Sequence, residues 1–262
     1  MPADLSPIDK AKFAAAQRAV GFVQDGMRVG LGTGSTAAFM VRALAERVRS
    51  EGLRITGVPT STRTADLARE LGITVVTLDE AKWLDLTIDG TDEFDSDLNL
   101  IKGGGGAHLQ EKIVATASDQ MIVIADAAKK VAQLGAFPLP IEVIRFGWQT
   151  TKALVEELLV SLDVLGQTST LRLNKAEPFV TDEGNYVLDL HLQRIGNARQ
   201  LAMVLNQVPG VVENGLFIDI CDLVIVGHGD GRVELYDFAK GQAADGRVEF
   251  AESENVFADL GD

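Results

Sequence analysis

Residues 28–48 read RVGLGTGSTAAFMVRALAERV. Four residues of strand character run into a turn with two glycines. The turn opens a helix whose apolar positions, Phe39, Val41, Leu44 and Val48, lie on or near one face. Strand, glycine turn and helix N-terminus in that order present backbone N–H groups to a phosphate. The spacing is not that of a dinucleotide fingerprint, because Gly32-Thr33-Gly34 is followed by Ser35-Thr36-Ala37. No Gly-Lys-Ser/Thr marks a P-loop either. The hydroxyls of Ser35 and Thr36 add donors for a phosphate. The same residues also read as a tight turn with a serine helix cap, so this motif alone leaves both uses open.

Outward from it, strands alternate with helices. A helix is expected over 8–24, started by Ser6-Pro7 and ended by Asp25-Gly26. Downstream, strands are expected at 54–58, 73–77, 85–89 and 121–125, with helices at 62–71 and 107–117. Short apolar strands alternating with helices predict a mostly parallel sheet covered on both faces, with ligands at the carboxyl ends of the strands. Gly32–Thr36, Thr60-Ser61, Asp89–Asp92 and Asp126–Lys129 all fall at such ends. Beyond Gly135 the pattern becomes strand 141–146, helix 148–162, strand 168–173, strand 179–190 with a turn at 182–185, helix 197–208 and strand 216–220. That β-α-β-β-α-β order is ferredoxin-like. The expected architecture is α/β: a Rossmann-like, mostly parallel sheet domain (1–135 and 219–262) with an inserted α+β ferredoxin-like small domain (136–218). Strands at 223–226 and 232–236 return to the first domain, and the acidic tail from about Gly241 is expected to be loosely ordered.

Composition narrows the function. The chain has 262 residues, 46% of them hydrophobic, enough for a sizeable core. A net charge of −14 argues against nucleic acid or an anionic membrane as partner. The single cysteine, Cys221, allows no internal disulfide. No apolar run approaches the roughly 18 residues that span a bilayer. The start, MPADLSPIDKAK, has no apolar leader core, so a cytoplasmic protein is expected.

The chemistry concentrates in residues 86–112, LTIDGTDEFDSDLNLIKGGGGAHLQEK. Asp89 and Asp92 flank Gly90 at the end of a strand. A turn and cap would use such acids, and a Mg²⁺ site would need substrate phosphates beside them. Hydroxyl recognition and proton exchange on a sugar fit them better. Lys102 stands directly before Gly103, Gly104, Gly105 and Gly106. A cation with several bare N–H groups in one loop stabilises a developing oxyanion. Glu111, early in the following helix, is the best general-base candidate, and His108 on the same turn is a lesser acid candidate. No serine-nucleophile, zinc-protease or paired-cysteine motif is present.

These residues resemble the ribose-5-phosphate isomerases of the A type. The resemblance is carried by LGTGSTAA (31–38), VPTSTRT (58–64), DGTDEFD (89–95), LIKGGGGAHLQEK (100–112), IADAAKK (124–130), FPLPIEVI (137–144), TDEGNYVLD (181–189) and PGVVENGLF (209–217). It implies interconversion of D-ribose 5-phosphate and D-ribulose 5-phosphate through a cis-enediolate, in the non-oxidative pentose phosphate pathway. It implies Glu111 as the base and Asp89, Gly90, Thr91 and Asp92 around the sugar oxygens. Lys102, Gly103, Gly104 and Gly105 become the oxyanion loop, and Thr33, Gly34, Ser35 and Thr36 the first substrate loop. Lys129 and, by a looser match, Lys12 contact the phosphate. Lys102 and Asp89 join Glu111 as catalytic residues, although Asp92 serves ring opening equally well on this reading. The resemblance implies no metal or organic cofactor and a homodimer or homotetramer. Glucosamine-6-phosphate deaminases and coenzyme A transferases resemble the fold at large, but their active-site motifs are not evident. A sugar-phosphate sensor would add a DNA-binding helix-turn-helix, for which the charge is wrong.

Overall fold

A computed structural model describes residues 5–237 and 242–248. Contacts divide the chain into two compact units. Unit one comprises Met1–Gly90, Val114–Ala128 and Asp222–Asp262, and unit two comprises Thr91–Ile113 and Lys129–Cys221. The expected boundaries placed Thr91–Ile113 in the first domain. By contacts this segment belongs with unit two, because its strands pair there.

Unit one is built on an eight-stranded sheet. Its order is Thr74–Val75, Thr56–Pro59, Arg28–Leu31, Leu86–Gly90, Met121–Asp126, Leu223–Gly227, Arg232–Asp237 and Gln242–Arg247. The first six strands run parallel. The last two are antiparallel additions at one edge. Taken in chain order, the parallel strands lie 3-2-1-4-5-6, the doubly wound arrangement. The order reverses between Arg28–Leu31 and Leu86–Gly90, and both strands end in motif residues.

Strand alternation explains the layering. Val29 and Leu31 enter the main core with the apolar faces of the helices Pro7–Val20 and Ser35–Glu51. Gly30 faces the other way. A Cβ there would stand 2.0 Å from Thr87 Oγ1 and 2.8 Å from Val114 Cγ1, so the strand admits no side chain at that point.

The first helix ends at Val20, four residues short of the expectation, with Gly21 as its cap and further turns at Phe22 and Val23. The loosely ordered tail expected from about Gly241 is corrected at its start. Gln242–Arg247 pairs along the whole of Arg232–Asp237. The rest of that expectation, 249–262, lies outside the described residues.

Unit two holds a four-stranded antiparallel sheet in the order Val211–Asn214, Leu139–Val143, Tyr186–His191, Thr168–Leu171. The helices Trp148–Leu159 and Ala198–Leu205 pack with it in one apolar cluster. The strand order 4-1-3-2 is the ferredoxin-like one. Its fourth strand corrects the expected 216–220. Asn214 is buried and turns the chain, its amide donating to Ala202 O and Asn206 Oδ1 while Oδ1 accepts from Leu216 N. Leu216–Phe217 is thereby sent to a separate three-stranded sheet with Leu100–Ile101 and Glu93–Phe94. The single strand expected over 179–190 is also shorter. Only Tyr186–His191 joins the large sheet, while Glu177–Pro178 pairs with Leu173–Asn174.

Glu93 ties this small sheet to the loop before Leu139. Its buried carboxylate accepts from Gly135 N at 2.7 Å and Phe137 N at 2.5 Å. Replacing it with alanine strands two N–H groups, each at a cost of about 1–3 kcal/mol. Glu93→Ala should therefore lower the urea midpoint of the first unfolding transition by the equivalent of roughly 2–6 kcal/mol. A midpoint unchanged within about 0.5 kcal/mol, the usual size of a neutral surface change, would show that these bonds do not stabilise the unit.

Candidate active site

In unit one the first glycine turn and the acid at the neighbouring strand end form one assembly. Asp89 is fully buried, and its Oδ1 accepts from Thr33 N at 3.1 Å and Gly90 N at 2.7 Å. The approach is possible because residue 32 is glycine: a Cβ there would lie 2.1 Å from Asp89 Oδ1. Thr33 Oγ1 lies 2.8 Å from Thr60 Oγ1 and donates to Ser61 Oγ at 2.8 Å. Thr64 Oγ1 donates to Gly32 O at 3.0 Å. The hydroxyls of the VPTSTRT motif thus brace the turn from the next strand.

Gly34, at φ +109°, caps the helix Ser35–Glu51, a left-handed backbone that a side chain would strain. Lys12 reaches from the first helix to donate to Ser35 Oγ at 3.0 Å, with Asp9 3.5 Å from its ammonium. A cation, two hydroxyls and a helix N-terminus therefore meet at Ser35 and Thr36. That combination suits a phosphate. Lys12, matched more loosely in the sequence, touches this turn at Ser35.

In unit two the lysine-glycine loop leads into the helix His108–Thr116. Lys102 and Glu111 form an ion pair, Nζ to Oε2 3.3 Å, with side chains 2% and 6% exposed. Lys102 also lies 5.4 Å from the centre of the Phe217 ring, and Lys112 lies 5.1 Å from it. Glu111 N donates to Ala107 O, which sets the glutamate in the first helical turn, at the positive end of the helix. Gly106 N donates to Gly103 O and closes the loop into a turn. Asp92 Oδ2 accepts from Gly104 N at 2.7 Å, and a Cβ at residue 104 would lie 2.6 Å from Asp92 Oδ1. The two acids, three residues apart in sequence, thus hold different loops: Asp89 the first turn, Asp92 the glycine loop.

Two more of the expected residues have these local settings. Thr91 donates to the carbonyls of Glu93 (2.7 Å) and Ile101 (2.9 Å), so its hydroxyl fixes the chain between the acids. Lys129 closes the single 3₁₀ turn Ala127–Lys129 after the strand Met121–Asp126 and opens the second segment of unit two.

His108 is fully buried, its Nε2 3.4 Å from Glu213 O and its Nδ1 without a hydrogen bond. Its ring packs on Gly103, where a Cβ would stand 2.8 Å from Nδ1. Burial first, then the Lys112 charge, pushes its pKa down to about 3. The neutral ring packs under the glycine loop, with Nε2 directed at the Glu213 carbonyl. Lys112 bonds Glu213 at 2.9 Å and Asn214 O at 2.7 Å, with burial lowering its own pKa.

A glycine loop beside a dry lysine-glutamate pair is equipment for moving a proton next to a carbonyl. In a chain that also carries a doubly wound sheet and an anion-ready turn, it points to the class of sugar-phosphate isomerases. The comparisons agree. The family described as Ribose 5-phosphate isomerase A (phosphoriboisomerase A) matches residues 56–231. A Ribose-5-phosphate isomerase A of Ruegeria pomeroyi is 73% identical over 262 residues, all of both chains. The structure of ribose 5-phosphate isomerase A from Methanocaldococcus jannaschii shares 38% identity at TM-score 0.78, covering 92% of this chain and 99% of its own. A D-ribose-5-phosphate isomerase in complex with phospho-erythronic acid shares 36% at TM-score 0.80, covering 93% and 100%. The chain belongs to the ribose 5-phosphate isomerase A family.

The buried imidazole makes stability depend on pH. Its folded pKa, about 3, lies below the ordinary 6.5, so between these values the unfolded chain binds the extra proton. Its contribution is complete above pH 6.5 and falls as pH drops toward 3, by at most about 1.4 kcal/mol per pH unit. His108→Gln removes this term. The unfolding free energy of the parent minus that of the variant should therefore shrink between roughly pH 6.5 and pH 4. A difference that stays flat would mean the folded ring takes up its proton normally.

Proposed function

We propose that Glu111 is the general base with which this member of the family interconverts D-ribose 5-phosphate and D-ribulose 5-phosphate. The observation that carries the reading is the buried Lys102–Glu111 pair, 3.3 Å apart. Once the sugar is in its open aldehyde form, Glu111 takes the proton from C2. The C2–H electrons form the C1–C2 double bond, and O1 becomes the oxyanion of a cis-enediolate. Lys102 and the amides of the glycine loop hold that charge. The O2 proton passes to O1, and Glu111 returns its proton to C1, leaving a ketone at C2. Asp89 or Asp92 assists ring opening and the exchange between O1 and O2. Thr33, Gly34, Ser35, Thr36, Lys12 and Lys129 take the phosphate.

Phospho-erythronic acid, present in a related structure, supports an anionic enediolate on the way. Its carboxylate is planar and anionic, as the enediolate is. The exposed apolar side chains of Phe146, Val160 and Leu165 support a homodimer or homotetramer. A cytoplasmic location accords with a phosphorylated pentose as substrate. No helix among the described residues is long and apolar enough to cross a membrane.

Glu111→Gln keeps the shape of the side chain and cannot accept the proton. Turnover should fall by about 10²–10⁴, with the Michaelis constant little changed. Exchange of the C2 hydrogen with solvent should disappear together with isomerisation, since both need the same abstraction. Wash-out of C2 deuterium at the parent rate would assign the base to another residue.

Exhaustive chelation should leave the activity intact. Among the described residues no group of three or more His, Cys, Asp or Glu side chains is placed to hold a metal ion. Inactivation by EDTA, reversed by one divalent ion, would reopen Asp89 and Asp92 as ligands.

A further inference from the structure

Arg172 has no part in the reading above, yet it grips the catalytic loop. Its Nη1 donates to Gly103 O at 2.8 Å and to Gly104 O at 3.1 Å. The guanidinium is itself held by Asp189, Nε to Oδ2 at 3.0 Å and Nη2 to Oδ1 in a second, shorter contact. This two-pronged pairing fixes the plane of the guanidinium. Arg172 follows the strand Thr168–Leu171 and begins a hairpin that ends at Phe179, whose N–H donates to Arg172 O at 2.9 Å. Phe179 closes on the far end of the same loop: a Cβ at Gly106 would lie 2.4 Å from its ring. The hairpin therefore clasps both ends of the glycine run.

The consequence follows from peptide geometry. In a trans peptide the C=O of one residue and the N–H of the next point in opposite directions. With the carbonyls of Gly103 and Gly104 fixed toward Arg172, the N–H groups of Gly104 and Gly105 are turned away from it. Gly104 N–H shows the effect directly, since it reaches Asp92 Oδ2 at 2.7 Å. Without the guanidinium, the Gly104–Gly105 peptide loses the donor on its carbonyl, and the Gly103–Gly104 peptide keeps only Asp92 and the Gly106 N–H, with no side chain to bias the backbone between them.

We propose that Arg172, oriented by Asp189, is a positioning residue that sets the peptide planes of the oxyanion loop and, through Gly103, the station of Lys102. It touches no reacting atom. The proposal rests on the reading of Lys102 and the glycine loop as the enediolate site. A loop out of place by about an ångström can cost on the order of 10² in rate.

The test measures steady-state kinetics and thermal unfolding for Arg172→Ala, Arg172→Lys, Asp189→Asn and Lys102→Ala. The expected result for Arg172→Ala is a fall in kcat of about tenfold to a hundredfold. KM should change less than about threefold, because the phosphate contacts are untouched. Millimolar guanidinium or methylguanidinium should restore part of the kcat of Arg172→Ala and none of that lost in Lys102→Ala. Arg172→Lys should recover little, since one ammonium cannot bind Asp189 and two carbonyls in one plane. Asp189→Asn should show the same kcat-dominated loss in milder form, which decides the matter if Arg172→Ala fails to fold. A kcat within twofold of the parent in the folded Arg172 or Asp189 variants, with Lys102→Ala strongly impaired, overturns the positioning role alone. Near-parent kcat in Lys102→Ala overturns the reading it rests on. A loss confined to KM, or one without guanidinium rescue in a folded Arg172→Ala, also overturns the proposal.

Discussion

Opposite charges on Lys102 and Glu111 stand 3.3 Å apart with almost no access to water. Removing each ion from water is expensive, by several kcal/mol even after relaxation, and their attraction offsets this only if the geometry is held closely. The surroundings supply that hold. Glu111 is fixed by the first turn of a helix, and Lys102 by the strand residue before it and the ring of Phe217. Between them the chain must double back over a short loop against other groups at close range. The glycine run makes this possible. At Gly103 the backbone has φ +106° and lies under the His108 ring, and at Gly104 it lies against Asp92. A buried pair of this kind adds little to stability. In a dry site a base and a cation are worth far more than in water, which supports the role proposed for the pair.

The glycine loop is held from several directions by groups with separate tasks. Asp92 accepts an N–H, Arg172 donates to two carbonyls, and His108 and Phe179 pack on its glycines. A similar division appears in unit one. There Asp89 accepts two N–H groups while the hydroxyls of Thr33, Thr60, Ser61 and Thr64 link the turn to the neighbouring strand end. In both places a carboxylate holds the backbone of a glycine-containing turn.

Much of the fold is legible in residue order. Alternating apolar strands and helices predict the parallel sheet, and β-α-β-β-α-β predicts the second unit. The misreadings have local physical causes. Val211–Asn214 is half-buried and hydrophilic at its end, so it reads more weakly than the apolar Leu216–Phe217, yet it is the strand that joins the larger sheet. Thr91–Ile113 is continuous in sequence with a parallel strand. Of its short strands, Glu93–Phe94 pairs with Leu100–Ile101, which finds its other partner at Leu216–Phe217, more than a hundred residues away, a pairing no local pattern announces.

The sequence by itself determined the chemistry available: which acids, which lysine and which bare amides exist, and at what spacing. Lys102, the glycines and Glu111 sit within one short stretch, where spacing alone constrains the geometry. It also determined the anion-ready turn, because strand, glycine and helix start are local features. Only the tertiary structure decided what braces them. Arg172 and Asp189 are distant in sequence from Gly103; Arg172 lies outside the quoted motifs, Asp189 only ends TDEGNYVLD, and a surface ion pair would read the same way. Lys12 meets Ser35, and Asp89 meets Thr33, through sheet and helix packing. His108 likewise became a neutral packing group only through burial. Side-chain type is written residue by residue, whereas desolvation and the orientation of peptide planes arise only when distant segments close on one another.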